Sequence, residues 1–383
     1  MKVGIIGSTK VGYELSKEEA IMLSGKSAGI CYMPDTLETL FNEPKEKTEK
    51  RAKGTLVSGH HSVYGHPTYN LSFEGIPKIL AMVLNNEKAY NTSEKSARYT
   101  KMEPSLREKE LYEKWIDIYF NQILKIYPDM PEKDAMKLAQ ENARYLISVF
   151  TPATIMEHTL SFGQLNYIIN WAKEYIENSD ESNFAIKLKE VLNDFINQPV
   201  LKELYVPELN TKVKERGFSI FAKRKRENEF GENYCVTYLG TFAELAQAHR
   251  HRTLSYEMML LNEPKFYVPK CIRGTKYEDE WLKDISSLAD CFPQGMLVQI
   301  NERGTVENFV LKCTERLCGV AQLEIADQTK QTMNMFLDNT KDSKPEIYEY
   351  LLPYSKGARC TFPSFNCARQ CIHGPKFALD RLV

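Results

Sequence analysis

The strongest candidate for chemistry is the run from Gln247 to Glu257, which crowds two arginines and two histidines together. If this run is helical, Gln247, Arg250 and His251 share one face, because residues three and four apart are neighbours on a helix. Closely packed cations repel one another unless an anion lies among them, and arginine suits phosphate because its planar fork donates paired hydrogen bonds. The run therefore predicts an anion site. The alternative is a surface helix end, where cations meet the negative pole of the helix dipole.

The elements that would hold this run follow from hydrophobic periodicity. Residues 1–7, 217–222 and 234–239 have the composition of strands, whereas the charged residues 43–54 are typical of an exposed connection. His158 falls in an apolar helix and is expected to be a core residue. Helical spacing of apolar residues predicts helices over residues 104–126, 131–180, 184–196, 241–261, 279–290 and 303–337. We therefore expect a mixed α/β fold.

The order of these elements in the second part of the chain echoes the first part. Pro199 and Pro207 interrupt the helical pattern between the two parts. The pattern predicts two tandem copies, residues 1–205 and 206–383, related by an approximate two-fold axis as a pseudo-dimer.

Composition excludes several classes of protein. The chain has 383 residues and a formal net charge of −1, so no global basic field draws it to a nucleic acid polymer. The local run at residues 223–226 could still bind phosphate, or it could be a solvated loop. The sequence contains no apolar stretch long enough for a membrane span. Its nine cysteines are an odd number, which favours reduced thiols in a cytoplasm.

The C-terminal tail is dense in residues that can ligate metals: Cys360, Cys367, Cys371 and His373. Their spacing fits no standard zinc pattern. We therefore expect no metal, and thiols that pack a C-terminal lobe are the favoured interpretation over a metal site.

Two partial motifs carry a family resemblance. Arg250-His251-Arg252-x-x-Ser255 resembles the start of the signature helix of flavin-dependent thymidylate synthases (ThyX), and the segment from Ser93 to Tyr99 resembles its second half. In the first copy, the arginine positions hold residues 86–88, Asn-Glu-Lys. The second copy, in turn, replaces the second half of the signature by residues 257–262.

Other family segments surround both motifs in the family order. Residues 59–66 resemble the segment upstream of the signature helix, and Arg144 corresponds to the arginine of an Ala-Arg pair. Residues 316–325, Arg-Leu-Cys-Gly-Val-Ala-Gln-Leu-Glu-Ile, resemble the family pattern Arg-x4-Ala-Gln-x-Glu-Ile. The resemblance covers most of residues 1–340.

The resemblance implies a single composite nucleotide site. In the family, each site lies between subunits, and each subunit supplies a different half of it. Here the two copies retain complementary halves, which is the pattern expected of a fused pseudo-dimer. The implied substrate-binding residues are Glu94, Ser96, Arg98 and Arg144 from the first copy, and Gln247, Arg250 and Arg316 from the second.

The resemblance also implies individual roles. Arg98, Arg144 and Gln247 would hold the phosphate and sugar of deoxyuridylate. Arg316 and Ser96 are the implied catalytic residues. Arg316 would stabilise negative charge on the uracil ring. Ser96 would lie beside the pyrimidine and is not assigned as a nucleophile, because its spacing shows no His or Asp partner.

The implied cofactor is FAD, which would carry hydride to the pyrimidine. Its expected contacts are His60, Ser62, Arg250, His251, Arg252, Asn301 and Arg303, the last two on a later helix. The implied partners are deoxyuridylate, methylenetetrahydrofolate and NADPH, and a homodimer would mimic the family tetramer. Two alternatives stay open: a flavin enzyme that modifies another pyrimidine nucleotide, and a nucleotide-binding pseudoenzyme without flavin.

Overall fold

The computed structural model is mixed α/β, which confirms the predicted fold class, and it contains two small antiparallel sheets. The chain forms two compact units, and both are discontinuous in sequence. The first comprises Met1–Lys95 and Pro152–Phe218, and the second comprises Ser96–Thr151 and Ser219–Val383. The division into tandem copies after residue 205 stays a prediction. The structure describes residues 1–8, 14–32, 37–96, 101–210, 217–367, 371 and 378–383.

The first unit is built on a four-stranded sheet. Its strands are β1 (Lys2–Ser8), β2 (Thr68–Ile76), β3 (Tyr90–Glu94) and β4 (Thr154–Ser161), in the spatial order β1-β2-β4-β3 with every pair antiparallel. Alternate residues of β2 are buried, as expected for a strand with one face on the core. The α-helices described in this unit are Lys17–Tyr32, Leu37–Phe41, Lys45–Val57, Lys78–Asn86, Phe162–Asn178, Asn183–Ile196 and Pro199–Leu204.

The second unit is built on a three-stranded sheet. Its strands are β5 (Asn233–Thr241), β6 (Ser255–Leu260) and β7 (Leu297–Thr305), with β7 between the other two and both pairs antiparallel. Its α-helices in the described residues are Leu106–Ile126, Glu132–Ala143, Phe242–Ala248, Tyr277–Ser286, Val306–Arg316, Leu323–Thr340 and Pro345–Leu351. None of the helices in the described parts of the chain is both long and apolar enough to cross a membrane.

A buried aromatic cluster fixes the helix Leu106–Ile126 within this second unit. Trp115 and Trp281 meet edge to face with ring centroids 4.8 Å apart, and Tyr119 packs against both rings. Such aromatic pairs stabilise a fold by more than the burial of their apolar area alone. The cluster therefore anchors the helix whose neighbour, Glu132–Ala143, leads directly into Arg144.

Several sequence predictions are confirmed. The strands expected at residues 1–7 and 234–239 correspond to β1 and β5. The helices expected at residues 104–126, 184–196 and 279–290 correspond to Leu106–Ile126, Asn183–Ile196 and Tyr277–Ser286.

The single helix predicted over residues 131–180 is wrong. It is two helices, Glu132–Ala143 and Phe162–Asn178, with β4 between them. The first helix already ends at Ala143, and Pro152, which lacks an amide donor, lies in the connection just before β4. His158 is therefore on a strand instead of a helix, where it is buried with its ring stacked on Tyr90.

The helix predicted over residues 241–261 is also wrong beyond its first turns. The helix ends at Ala248, and the chain turns and then enters β6. Pairing of β6 with β7 supplies backbone hydrogen bonds that sequence periodicity does not reveal. Consequently Gln247, Arg250 and His251 do not share a helix face as predicted.

The helix predicted over residues 303–337 is likewise interrupted. Residues up to Thr305 belong to β7, and two helices, Val306–Arg316 and Leu323–Thr340, follow with a break that contains Gly319. Asn301 and Arg303 therefore lie on a strand and not on a helix.

Two shorter predictions fail for local reasons. Residues 43–54 are mostly helical, within Lys45–Val57, because Lys and Glu are good helix formers even where a segment is exposed. Residues 217–222 are not a strand: Phe221 makes only an isolated bridge to Met258.

Candidate active site

Two polar side chains of the second unit converge on the side-chain amide of Gln322. Arg144 Nη2 and Gln247 Nε2 both donate a hydrogen bond to Gln322 Oε1. Arg144 and Gln322 are 178 positions apart in sequence. Arg144 and Gln247 are 7% and 9% exposed, so little more than their edges face solvent. The structure thus brings together two of the residues expected to hold the nucleotide.

Arg316 lies against the same helix as Gln247. Its Nη2 donates to the backbone oxygen of Gln247 at 3.2 Å, and its Nε donates to His251 Nε2 at 2.6 Å. The carboxylate of Glu315 lies 3.8 Å from Arg316 Nη2, but it is mostly exposed, and water screens such a pair. This exposed carboxylate therefore contributes little to holding the guanidinium, which His251 and the Gln247 carbonyl orient.

His251 is held neutral in this arrangement. Burial lowers its pKa to about 2, and the positive charges of Arg316 and Lys312 act in the same direction. Since Nε2 accepts from Arg316, the single ring proton belongs on Nδ1. His251 therefore orients Arg316 and adds no positive charge.

A second chain of hydrogen bonds fixes the amide nitrogen of Gln322. Gln322 Nε2 donates to the Tyr145 hydroxyl, which donates to Glu324 Oε2 at 2.7 Å. The backbone amide and the hydroxyl of Thr241 also donate to Glu324, at 3.0 and 2.8 Å. Burial nevertheless raises the pKa of Glu324, because desolvation outweighs these hydrogen bonds.

Local sequence explains why these side chains meet. Thr241 caps the helix Phe242–Ala248 by accepting a hydrogen bond from the amide of Glu244, and this places Gln247 in the last turn. Arg316 ends the helix Val306–Arg316, where a cation faces the negative pole of the dipole. Gln322 is the residue just before the helix Leu323–Thr340.

The turn after Ala248 sorts its side chains by burial. His249 and His251 point inward and are buried, whereas Arg250 and Arg252 are exposed. Backbone hydrogen bonds from His251 to Ala248 and from Leu254 to His251 hold this turn. The two exposed arginines can thus meet an anion from solvent without disturbing the buried pair of Arg316 and His251.

A basic groove of about 750 Å³ lies beside this turn, between residues 224–226 and the end of β7. Arg226 and Arg303 both pair with Glu257, at 3.0 and 2.6 Å, so one carboxylate is shared by two guanidinium groups. Arg303 Nε is buried without a hydrogen-bond partner among the described residues. The groove lining includes Arg224, Lys225, Arg226, Glu227, Glu229, Thr253, Ser255, Arg303 and Asn308.

Asn301 is turned away from the solvent. It lies buried on β7, and its amide donates to Cys235 Sγ at 3.1 Å and to Thr237 Oγ1 at 3.0 Å. These contacts hold the side chain inside the sheet.

A family profile matches part of the chain. Residues 15–159 match the profile of the thymidylate synthase complementing protein. This segment is similar to the thymidylate synthase complementing family. The match contains Arg144 but ends before Gln247 and Arg316, so the similarity lies in the first part of the chain. None of the curated proteins matches the sequence.

Two solved structures are similar at low identity. A UMP/dUMP methylase, PolB, from Streptomyces cacaoi bound with 5-Br dUMP is 14% identical, and the match covers 53% of this chain and 93% of that chain with a TM-score of 0.34. The flavin-dependent thymidylate synthase ThyX from Helicobacter pylori, complexed with FAD and dUMP, is 12% identical. That match covers 92% of this chain and 99% of that chain with a TM-score of 0.20.

The structure does not place the remaining residues that the family resemblance implies in this cluster of side chains. Glu94, on β3 of the first unit, pairs with Lys78 at 2.6 Å. His60 and Ser62 flank the start of the short 3₁₀ helix His61–Gly65 of that unit, and Ser62 is exposed. Ser96, the first residue of the second unit, is half-buried. Arg98 lies outside the described residues.

Sequence reasoning assigned no role to several residues that organise the site. Gln322 and Glu324 stand inside the Ala-Gln-x-Glu pattern, and Tyr145 directly follows Arg144. The pattern was thus a usable signal for Gln322 and Glu324, whereas only the fold shows that Tyr145 joins them.

The cysteine-rich tail shows no metal cluster in its described part. Within the ranges that the structure describes, no three His, Cys, Asp or Glu side chains come close enough to hold a metal ion. Cys360 and Cys371 are half-buried and Cys367 is exposed, so packing of buried thiols does not explain Cys367. His373 lies outside the described residues.

The neutral state of His251 predicts a dependence of stability on pH. In the unfolded chain its pKa is near 6.5, so protons bind the unfolded state first as pH falls. The stabilisation is therefore complete above about pH 6.5 and declines by up to about 1.4 kcal/mol per pH unit below it. We expect urea unfolding at pH 7.0 and 4.5 to show wild type losing about 2–3 kcal/mol more than His251→Gln.

The same comparison controls for other buried groups. The raised pKa values of Glu244 and Glu324 act in the opposite direction, since these carboxyls bind protons more readily when folded, but both proteins share them. Equal losses in the two proteins would show that His251 is not held neutral.

Proposed function

We propose that the chain methylates deoxyuridylate to thymidylate at one composite site in its second unit. The observation that carries the proposal is the convergence of Arg144, Gln247 and Arg316 around Gln322 and His251. The family resemblance implies that these residues come from different tandem copies. In addition, the segment that matches the profile of the thymidylate synthase complementing protein includes Arg144.

The nucleotide phosphate would take the place of a neutral acceptor. Arg144 and Gln247 now share Gln322 Oε1, and Arg144 Nε is a buried donor without a hydrogen-bond partner in the described structure. Charge-assisted hydrogen bonds are about twice as strong as neutral ones. A phosphate oxygen would therefore compete well for both donors and also satisfy Arg144 Nε.

Arg316 would act on the pyrimidine. Its guanidinium is fixed on one side by His251 and by the Gln247 carbonyl. A donor that is already oriented stabilises charge in the transition state without having to reorganise. We assign it to the uracil oxygen on which negative charge grows, and Ser96 to a contact beside the ring.

The basic groove suits the diphosphate of FAD. It offers Arg224, Arg226 and Arg303, and the exposed Arg250 and Arg252 lie on the adjoining turn. The buried Nε of Arg303 lacks an acceptor within the described residues, which fits a phosphate oxygen. When bound, the flavin would supply the hydride, with NADPH as reductant and methylenetetrahydrofolate as carbon donor. A homodimer would mimic the family tetramer.

The flavin assignment predicts a specific loss of affinity. We expect purified protein to show the visible absorbance of flavin, and Arg252→Ala to weaken FAD binding by roughly 10- to 150-fold, the usual effect of losing a hydrogen bond to a charged group. FAD titration followed by flavin fluorescence measures this change. Lys283→Ala is the control, because it removes an exposed cation that does not line the groove.

Equal FAD affinity in Arg252→Ala, Lys283→Ala and wild type would place the cofactor elsewhere. Competition of uridylate and deoxycytidylate with deoxyuridylate, measured on the same protein samples, would identify the pyrimidine that the nucleotide site prefers.

A further inference from the structure

Residues 378–383 of the second unit are not part of the sites described above, although they pack beside them. The first and last residues of this segment are buried, and so is Arg381. The backbone amide of Leu382 donates to the Tyr127 hydroxyl at 2.9 Å. The segment is therefore held against the rest of its unit.

Arg381 is the residue of this segment that calls for an explanation, because it is only 3% exposed. Arginine is almost never buried so deeply unless its donors are paired. Its Nη1 donates to the backbone oxygen of Ala378, and its Nη2 donates to that of Ala321 at 2.6 Å. One guanidinium thus joins the segment to a residue 60 positions earlier in the chain.

Ala321 belongs to the loop of residues 317–322, which connects two parts of the candidate active site. The loop begins directly after Arg316 and ends with Gln322. Because a peptide bond is planar, a hydrogen bond that holds the Ala321 oxygen also fixes the backbone nitrogen of Gln322. Arg381 therefore restrains the backbone from which the Gln322 side chain extends.

Close packing at Gly319 holds the same loop against the C-terminal part of the chain. A Cβ at Gly319 would lie 2.8 Å from Cys371 Sγ and 3.4 Å from the Cβ of Ala378. The first of these distances is too short for a carbon and a sulfur atom, so a larger residue would push the loop away. The missing side chain thus permits the close approach that Arg381 secures.

Gln322 is important to the site because its Oε1 accepts from both Arg144 and Gln247. In the free protein, this amide keeps two long side chains in one arrangement. A ligand that meets donors already in place loses less conformational entropy than a ligand that must order them. A contact that fixes Gln322 therefore prepares both donors for a phosphate.

We propose that Arg381 is a positioning residue of the nucleotide site, which acts through Gln322 on the phosphate donors Arg144 and Gln247. The assignment rests on the proposed function, because it concerns the deoxyuridylate of that reaction. The role needs no contact between Arg381 and the nucleotide. Its hydrogen bonds hold the end of the loop 317–322, and the loop carries the amide that orients the donors.

The test compares Arg381→Ala with wild type, with deoxyuridylate and deoxyuridine as probes of the full-length protein. We expect the dissociation constant of deoxyuridylate to rise by roughly 5- to 30-fold, because two rotamer-rich side chains must then be ordered on binding. That of deoxyuridine should not change, since it lacks the phosphate. A general loss of structure would weaken both ligands alike, so the ratio of the two constants, measured by calorimetry, isolates positioning.

Two further variants control this comparison. Arg381→Lys keeps the positive charge but lacks the planar fork that reaches two oxygens, so it should recover only part of the affinity for deoxyuridylate. Lys330→Ala removes an exposed ion pair with Asp380 of the same segment and leaves Arg381 in place. It should leave both dissociation constants unchanged.

Hydrogen exchange followed by mass spectrometry measures the restraint on the loop without any ligand. Within the loop, the amides of Cys318 and Ala321 donate to backbone oxygens of Arg316 and Cys318. Local opening of such bonds controls their exchange. We expect the loop to exchange faster in Arg381→Ala than in wild type and Lys330→Ala, and the helix Tyr277–Ser286 to exchange equally in all three.

Gly319→Ala tests the same restraint while Arg381 is retained. The added methyl group would meet Cys371 Sγ, so it should displace the loop and weaken deoxyuridylate binding. Cys371→Ala in the same protein removes that sulfur atom and should restore most of the affinity. This pair of variants keeps the assignment testable if Arg381→Ala does not fold.

Wild-type affinity for deoxyuridylate in Arg381→Ala would overturn the assignment, as would equal weakening of deoxyuridylate and deoxyuridine. Tighter binding of deoxyuridylate would also overturn it, because Gln322 would then only compete with the phosphate.

The same measurements distinguish this failure from failure of the proposed function. If wild type binds deoxyuridylate while Arg381→Ala keeps wild-type affinity and exchange, the positioning role is wrong and the proposed function stands. If wild type does not bind deoxyuridylate but the loop exchanges faster in Arg381→Ala alone, the proposed function fails and Arg381 retains its role in holding Gln322.

Discussion

Replacing Arg316 by alanine is expected to lower kcat for thymidylate formation by about 100- to 1,000-fold, while the dissociation constant of deoxyuridylate changes by less than about threefold. The reason is that negative charge on the uracil ring grows mainly in the transition state, so a donor aimed at it contributes little to ground-state binding. Single-turnover kinetics with flavin reduced in advance, together with calorimetry of nucleotide binding, separate the two quantities.

Arg316→Lys is the matched variant for this measurement. It keeps the positive charge but loses the Nε that donates to His251 at 2.6 Å. We expect an intermediate kcat, because a lysine has no planar fork to be oriented by His251. Since Arg316 is buried, the free energy of unfolding is compared first, and kinetics are read only at temperatures where both variants are folded. A large rise in the dissociation constant with kcat preserved would instead assign Arg316 to the phosphate.

Motif comparison could predict which residues meet, although not how they meet. Arg144, Gln247 and Arg316 were expected at one ligand from partial motifs alone, and the structure places all three around Gln322 and His251. The contact between Arg144 and Gln322 was not expected, because it joins residues 178 positions apart and depends on tertiary packing.

Secondary structure was predictable where apolar periodicity was long and uninterrupted, as in Leu106–Ile126. It was not predictable across the run from Gln247 to Glu257, where a helix, a turn and a strand follow one another within a few residues. The strand there owes its hydrogen bonds to β7, which lies about 40 residues further along the chain. Consequently the sequence could not distinguish the buried His251 from the exposed Arg252.

The full burial of Glu244 could not have been expected from its residue type, because glutamates are rarely fully buried without a partner. Its burial depends on the cap at Thr241 and on the absence of a side chain at Gly240. Threonine and glycine are common residue types, and their effect on Glu244 depends on the positions of β5 and the helix Phe242–Ala248.

The polar network is closed on one side and open on the other. Glu324 receives hydrogen bonds from Tyr145 and from both polar groups of Thr241, and Tyr145 in turn accepts from Gln322. Satisfied networks of this kind are rigid. On the opposite side, Arg144 Nε has no acceptor within the described residues. A ligand that meets Arg144 therefore binds against a preorganised wall, which reduces the entropy lost on binding.

Arg144→Ala should raise the dissociation constant of deoxyuridylate by roughly 30- to 150-fold, because a charge-assisted contact to the phosphate is lost. The same titration of wild type should give one nucleotide per chain. By the family resemblance, the reciprocal site would use residues 86–88 in place of the arginine motif. There Glu87 is fully buried, and burial lowers the pKa of Lys88. A buried carboxylate repels phosphate, and a lysine that loses its proton more easily is a poorer phosphate ligand.

Two variants isolate the contribution of Arg144. Arg144→Lys keeps the charge without the bidentate fork and should recover only part of the affinity. Arg107→Ala removes an exposed arginine that pairs with Asp290 and should leave the dissociation constant unchanged. Deoxynucleoside without phosphate should bind wild type and Arg144→Ala equally, since it lacks the group that Arg144 contacts. Two equivalent nucleotides per wild-type chain, or equal loss of nucleoside and nucleotide binding in Arg144→Ala, would contradict a single composite site in which Arg144 holds the phosphate.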